Sequence, residues 1–295
     1  MTDLLHAVRR YAEAHANGTG FARSPVPGLG VVRVVTPGDI VHDIYRPLVC
    51  LILQGSKEVA TGVTSLAFAA GESLLVTADV PVASRITRAG VAAPYLSLVF
   101  ELDPAVIAEL AVEMRVTAAA DGAPLRVEPT DAEVADAALR LMRLVDRPAA
   151  LRMLGAPLVR EMHYWLMAGR HGAAIRRLGA ADSHLNRVAR AVALLRAEFA
   201  KPLPVERLAA EAGMSSSSFH QHFRAATSLS PRQFQKRLRL IEARRLMLAE
   251  GAGASGAAYA VGYESVPQFT RDYRRLFGEP PARDVRAARN EARAA

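Results

Sequence analysis

The sequence predicts an α+β protein, with a β-rich N-terminal domain followed by an all-α C-terminal domain. Three observations carry this reading. Between about Phe21 and Glu101, short apolar runs alternate with turn signals, the texture of a sandwich or small barrel. From Pro104 onward, apolar positions recur at three- and four-residue spacing, which is helical. The charge is also divided unevenly. Residues 1–181 hold 18 Lys and Arg against 18 Asp and Glu, whereas residues 182–295 hold 19 against 11. The whole formal excess of +8 therefore lies in the C-terminal part. A length of 295 residues suits two domains.

The elements follow in order. MTDLLHAVRRYAEAH at the N-terminus reads as an amphipathic helix and lacks the apolar core of a signal peptide. No apolar run reaches the roughly 18 residues of a membrane span, so no membrane partner is expected. Strands are expected in 31–35, 48–53, 73–76 and 95–100. Turn signals at Pro25-Val26-Pro27-Gly28, Pro37-Gly38-Asp39, Gln54-Gly55-Ser56 and Ala70-Gly71-Glu72 punctuate them. Helices are expected at 104–113, 131–146 and 157–168, opened by Asp103-Pro104, Thr130-Asp131 and Ala156-Pro157. These helices are candidates for packing on the strands or for building a homodimer interface. The Gly- and Ala-rich stretch from Arg170 to Asp182 marks the boundary between domains 1–181 and 182–295. Cys50 is the one cysteine, which excludes an internal disulfide and a Cys-cluster zinc site. A reducing cytoplasm fits this usage.

The basic domain holds a repeated pattern. In Val205–Arg224, Leu208 and the small Ala209 turn inward, Gly213 supplies the positive φ of a turn, and Ser215 or Ser216 caps the next helix. That helix buries Phe219 and Phe223. Ser217, His220, Gln221 and Arg224 are left toward solvent, and such residues bond base edges and phosphates. The pattern returns 49 residues later, from Ala209 and Gly213 to Ala258 and Gly262. Phe269 and Tyr273 repeat the aromatic pair, and Ser265-Val266-Pro267-Gln268 forms a capping box. Gln268, Arg271, Arg274 and Arg275 occupy the exposed face. Between the copies, 231–250 reads as one helix about 30 Å long. Such a strut lets two reading helices enter successive major grooves, about 34 Å apart. His220 and His222 point apart on their helix, so they are a poor metal pair.

These residues carry a family resemblance. From about Asp182 to Arg286 the chain resembles the DNA-binding domain of AraC/XylS-type regulators. The closest likeness lies in Ala260-Val261-Gly262-Tyr263-Glu264-Ser265, Gln268-Phe269-Thr270-Arg271, Tyr273-Arg274-Arg275-Leu276-Phe277-Gly278 and Pro280-Pro281. Tyr45-Arg46-Pro47, Cys50-Leu51-Ile52-Leu53-Gln54-Gly55, Pro94-Tyr95-Leu96 and Glu101-Leu102-Asp103-Pro104 resemble a regulatory domain often fused to it. The glycine-rich start at Gly253-Ala254-Ser255-Gly256 and Val266 depart from the pattern. The resemblance implies seven helices in the C-terminal domain and a cupin-like β-barrel in the N-terminal one. It implies that Ser217, His220 and Gln221 face bases on the first reading helix, and Gln268 and Arg271 on the second. Arg224, Arg274 and Arg275 are then phosphate contacts. Double-stranded promoter DNA, RNA polymerase and a second copy of the chain are the expected partners. No cofactor is expected.

A barrel of this size suits a small-molecule effector. The candidate lining is Leu51, Leu53, Leu74, Val76, Leu96 and Leu98, with polar anchors at Tyr45, Arg46, Gln54 and Tyr95; the alternative is a filled core. A constitutive DNA-binding dimer without effector is the competing function. A metal-dependent cupin enzyme needs a histidine and carboxylate cluster. Residues 21–101 hold one histidine, His42, so the chain is not expected to be an enzyme. A methyl acceptor of the Ada type needs several reactive cysteines, which Cys50 alone cannot supply.

Overall fold

The computed structural model describes residues 1–62, 64–116, 123–180 and 183–294, with side chains through 289. The boundary expected between 181 and 182 falls outside them. The chain divides into two compact units, residues 1–41 with 45–186, and residues 42–44 with 187–295.

Helix α1 (Thr2–His15) precedes nine strands: β1 (Phe21–Arg23), β2 (Leu29–Val34), β3 (Val41–Tyr45), β4 (Leu48–Gln54), β5 (Ser56–Thr61), β6 (Thr64–Ala69), β7 (Glu72–Val76), β8 (Val80–Arg88) and β9 (Tyr95–Glu101). Helix α2 (Pro104–Glu113) and strand β10 (Leu125–Pro129) follow. The described strands form two sheets, ordered β1-β2-β9-β4-β7-β10 and β3-β8-β5-β6. The four strands read from the apolar runs, β2, β4, β7 and β9, are the inner strands of the larger sheet.

Helices α3 (Ala132–Leu144), α4 (Pro148–Ala168) and α5 (Gly172–Gly179) complete the first unit. Alternation along each strand decides what faces what. Leu29, Val31, Val49, Leu51, Leu53, Leu75, Leu96, Leu98 and Phe100 share one core with residues of α1 to α5, including Val8, Ile107, Leu141 and Leu166. Their neighbours in sequence, Cys50, Ile52, Leu74, Val76, Tyr95 and Ser97, are also buried and occupy the opposite face. The expected pocket lining therefore splits. Leu51, Leu53, Leu96 and Leu98 belong to the helix side, and Leu74 and Val76 to the inter-sheet side.

Two expected boundaries move. Pro148 at the first turn starts α4, and Pro157 lies inside that helix. A proline there leaves the carbonyl four residues back without its usual donor. That residue is Met153, which is 76% exposed, so water can reach the carbonyl. The Gly- and Ala-rich stretch after Arg170 folds as α5, with Ile175 and Leu178 buried. Its small residues serve close packing: a Cβ at Gly179 would lie 2.7 Å from the Ala108 backbone nitrogen on α2.

Among the described residues seven helices follow, as the family resemblance implies: α6 (His184–Glu198), α7 (Val205–Glu211), α8 (Ser216–Thr227), α9 (Pro231–Ala249), α10 (Ala254–Ala260), α11 (Val266–Phe277) and α12 (Pro281–Ala294). At 19 residues, α9 is about 28 Å long.

Candidate nucleic-acid interface

The C-terminal body contains two helix-turn-helix units, α7 with α8 and α10 with α11. Each turn is made by a glycine in the left-handed region, Gly213 at φ 61° and Gly262 at φ 84°. Ser215 caps α8 by accepting from the Ser218 N–H at 3.3 Å. Ser265 accepts from the Gln268 N–H at 3.5 Å. The reciprocal bond of a capping box is found elsewhere, at the start of α9, between Ser230 and Gln233. Phe219, Phe223, Phe269 and Tyr273 are all fully buried, so the aromatic pairs lock the helices and are unavailable to bases.

Burying those pairs fixes what the helices present. Ser217, His220, Gln221 and Arg224 on α8 are exposed, as are Gln268, Arg271, Arg274 and Arg275 on α11. None of the eight side chains hydrogen-bonds or ion-pairs with another described residue. Neighbouring charges behave differently. Arg244 grips Asp284 through both carboxylate oxygens, at 2.8 and 3.2 Å. Arg245 is held by Glu242 and Glu250 at 2.7 and 3.0 Å. Lys236 pairs with Asp272 at 3.0 Å. Arg244, Arg245 and Lys236 are thus neutralised, while the two presented faces are left open.

In the first unit a polar cluster lies on the inter-sheet face. Tyr45 donates its hydroxyl to Ser84 Oγ at 3.3 Å and accepts from Lys57 Nζ at 2.8 Å. The Lys57 ammonium also lies 5.4 Å from the Tyr45 ring centre. The Tyr95 hydroxyl and Ser97 Oγ are buried without a hydrogen-bond partner of good geometry. Burial pushes the Tyr95 phenol well above its ordinary pKa, with the Cys50 thiol next in effect and Tyr45 adding to it. Burial also pushes the Cys50 thiol up, against the pull of Lys57. Tyr45 and Tyr95 are therefore electrostatic neighbours. The other two expected anchors lie apart. Gln54 is occupied by Arg9 at 2.9 Å and the Pro94 carbonyl at 2.8 Å, and Arg46 is exposed. Sequence reasoning missed Lys57, Ser84 and Ser97. The signal available was parity: Lys57 is two residues from Val59 on β5, so both point to the same face.

Among the described residues, no three His, Cys, Asp or Glu side chains converge as metal ligands. No described helix is long and apolar enough to cross a membrane.

Comparison with known proteins extends the likeness. A helix-turn-helix domain family matches residues 208–287. The transcriptional regulator GbdR of Pseudomonas aeruginosa is 34% identical over 95 residues, 32% of this chain and 26% of that protein. The transcriptional activator RhaS of Citrobacter koseri is 32% identical over 109 residues, 37% of this chain and 38% of that protein. The chain thus spans well under half the length of these curated relatives. The structure of unsaturated fatty acid bound wild-type ToxT from Vibrio cholerae superposes with a TM-score of 0.55. At 10% identity, covering 87% of this chain and 94% of that one, it shows a shared fold. The family of AraC-type transcriptional regulator N-termini matches residues 25–174, half of the sequence, and the chain belongs to the AraC-type transcriptional regulators.

Proposed function

We propose that the chain is a sequence-specific DNA-binding transcription factor that acts at transcription initiation. The observation that carries this is the pair of capped helices with open polar and basic faces. Ser217, His220, Gln221, Gln268 and Arg271 read base edges, and Arg224, Arg274 and Arg275 hold phosphates. The boundary between the regulatory and reading domains is assigned near 181–182. Promoter DNA is the partner, RNA polymerase the machinery addressed, and the cytoplasm the place of work. The reading assigns no catalysis.

The test is a duplex titration with the full-length chain at several salt concentrations. Lys and Arg contacts to phosphate release counterions, so affinity should fall steeply with salt. Arg271→Ala should cost about 1–3 kcal/mol on the selected site and relax preference at one or two base pairs, whereas Arg274→Ala should weaken all sequences evenly. Equal losses for Arg271→Ala on selected and random DNA would remove it from the readers.

The inter-sheet cluster is the proposed effector site. Lys57 and Tyr45 suit a ligand bearing an acidic or strongly accepting group, and Tyr95 and Ser97 offer buried polar atoms. ToxT, of the same fold, has been seen with an unsaturated fatty acid bound. A thermal-shift screen of metabolites, followed by DNA titration with each hit, tests this. A ligand that leaves DNA affinity and transcription unchanged is not the signal. If no ligand class shifts the protein, the constitutive reading stands. A homodimer is proposed through the N-terminal domain or its helices in 104–168, where Val112, Met153, Leu154 and Tyr164 are exposed. Sedimentation as a monomer at micromolar concentration, with and without DNA, would remove it.

A further inference from the structure

A set of arginines in the C-terminal domain donates to backbone carbonyls and bonds none of the eight exposed side chains of α8 and α11. Helix α6 is fastened to the first helix-turn-helix unit at both ends. Arg187 Nε donates to the Ala212 carbonyl at 2.9 Å, and Arg190 Nε to the Glu211 carbonyl at 3.2 Å, beside the Gly213 turn. Glu198 pairs with Arg207 of α7 at 2.7 Å.

The C-terminal end of α6 also meets the second helix-turn-helix unit. Arg239, midway along α9, donates from Nε to the Phe199 carbonyl at 2.7 Å. Its Nη2 reaches the Ala200 and Lys201 carbonyls at 3.2 and 3.1 Å. Its Nη1 reaches the Gly262 carbonyl, in the second turn, at 2.8 Å. One turn earlier on α9, Gln235 Nε2 donates to the same Phe199 and Lys201 carbonyls at 2.9 and 2.7 Å. Gly262 touches this junction directly, since a Cβ there would overlap the Ala200 carbonyl oxygen.

We propose that Arg239 is a positioning residue that fixes the spacing between the two reading helices. One planar guanidinium binds the carbonyls that end α6, and through α6 the first turn. The same group binds the carbonyl of the second turn. A rigid fork with five donors can hold these directions at once, which a flexible ammonium cannot do. Without this link, α9 alone sets the separation, and the second turn can shift against the end of α6. On DNA, the result is looser discrimination of half-site spacing. One base pair moves the second half-site by about 3.4 Å along the axis and about 35° around it.

This inference rests on the DNA-binding reading, and the experiment separates the two. The probe is a duplex selected by the full-length wild-type chain from a random-sequence pool, with its two half-sites located by footprinting. It is rebuilt with one or two base pairs inserted between the half-sites, and each half-site is also tested alone. The wild-type chain should lose about tenfold or more in affinity per inserted base pair, a penalty of the size of a mismatch. Full-length Arg239→Met should reduce that penalty to about threefold or less, and bind single half-sites within about twofold of wild type. Arg239→Lys should fall between them. Gln235→Leu removes two of the five bonds on the α6 end and should relax spacing in the same direction, by less. It decides the matter if circular dichroism shows that Arg239→Met does not fold. Folded variants that keep the wild-type spacing penalty overturn the proposal. So does a loss on single half-sites equal to the loss on the intact site, which marks a merely structural role. A wild-type chain that binds DNA without a spacing penalty also overturns it. A wild-type chain that binds no duplex sinks the DNA-binding reading, and this proposal with it.

Discussion

The two helix-turn-helix units share an outline and differ in what closes them. The first is shut by apolar rings: Phe219 lies 5.2 Å from Phe223, which meets Phe234 edge-on at 5.5 Å. The second is shut by rings with polar tips. Tyr273 donates to Asp284 at 2.6 Å, beside the bidentate Arg244. Tyr263 donates to Asp272 at 3.4 Å, beside Lys236. Burial is the largest reason that both tyrosine phenols sit above their ordinary pKa. An apolar closure is tolerant, because no atom in it requires a partner. A polar closure is demanding, because each missing partner leaves a desolvated group. The repeat thus conserves shape while dividing the two units into a forgiving one and an exacting one.

The largest effects test the shared outline. Phe219→Ala and Phe269→Ala should each destabilise the chain by about 3–5 kcal/mol, measured by chemical denaturation, since both rings are fully buried. A small loss for one of them would mean that the two cores are not equivalent. Asp284→Ala tests the difference. It strands Arg244 and the Tyr273 hydroxyl together, and should cost about 2–4 kcal/mol. If it costs under about 1 kcal/mol, the polar closure is ornamental, at the level of an exposed ion pair. The caps come next. Ser215→Ala and Ser265→Ala should each cost about 1 kcal/mol, with the longer 3.5 Å bond of Ser265 giving the smaller loss. The smallest change goes the other way. Gly256 lies inside α10 with open space where a Cβ would stand. Gly256→Ala should therefore stabilise the second unit by about 0.5–1 kcal/mol. A melting curve that falls instead would show that the glycine is needed by the backbone.

What was legible in the sequence follows from burial on one face or two. Strands β4, β7 and β9 are buried along most of their length, and β2 over its first half, so they read as dense apolar runs. The strands β5, β6 and β8 turn Glu58, Ser65 and Arg85 outward, where Glu58 bonds both partners, and their runs dissolve into mixed text. Edge strands β1 and β10 have 3 and 5 residues, too short to carry a period. The sequence predicts a helix start at Pro157 because a proline usually opens a helix, but the same signal at Pro148 is the one that opens α4. The reading helices were legible because two glycine turns and two aromatic pairs recur with nearly one spacing. The inter-sheet cluster was only half legible. Tyr45 and Tyr95 stand out as residues, but their meeting with Lys57 depends on which face each strand buries.

Cys50 has a consequence of another kind. It is the one sulfhydryl of the chain, 6% exposed, in the middle of β4. Burial holds the thiol above its ordinary pKa, so the reactive thiolate is scarce in the closed sheet. A thiol-reactive dye therefore reaches it when β4 parts from its neighbours, and its labelling rate is a stopwatch for that opening. Any compound that settles between the sheets should slow the stopwatch, so the molecule carries its own reporter for a signal whose chemistry need not be known in advance.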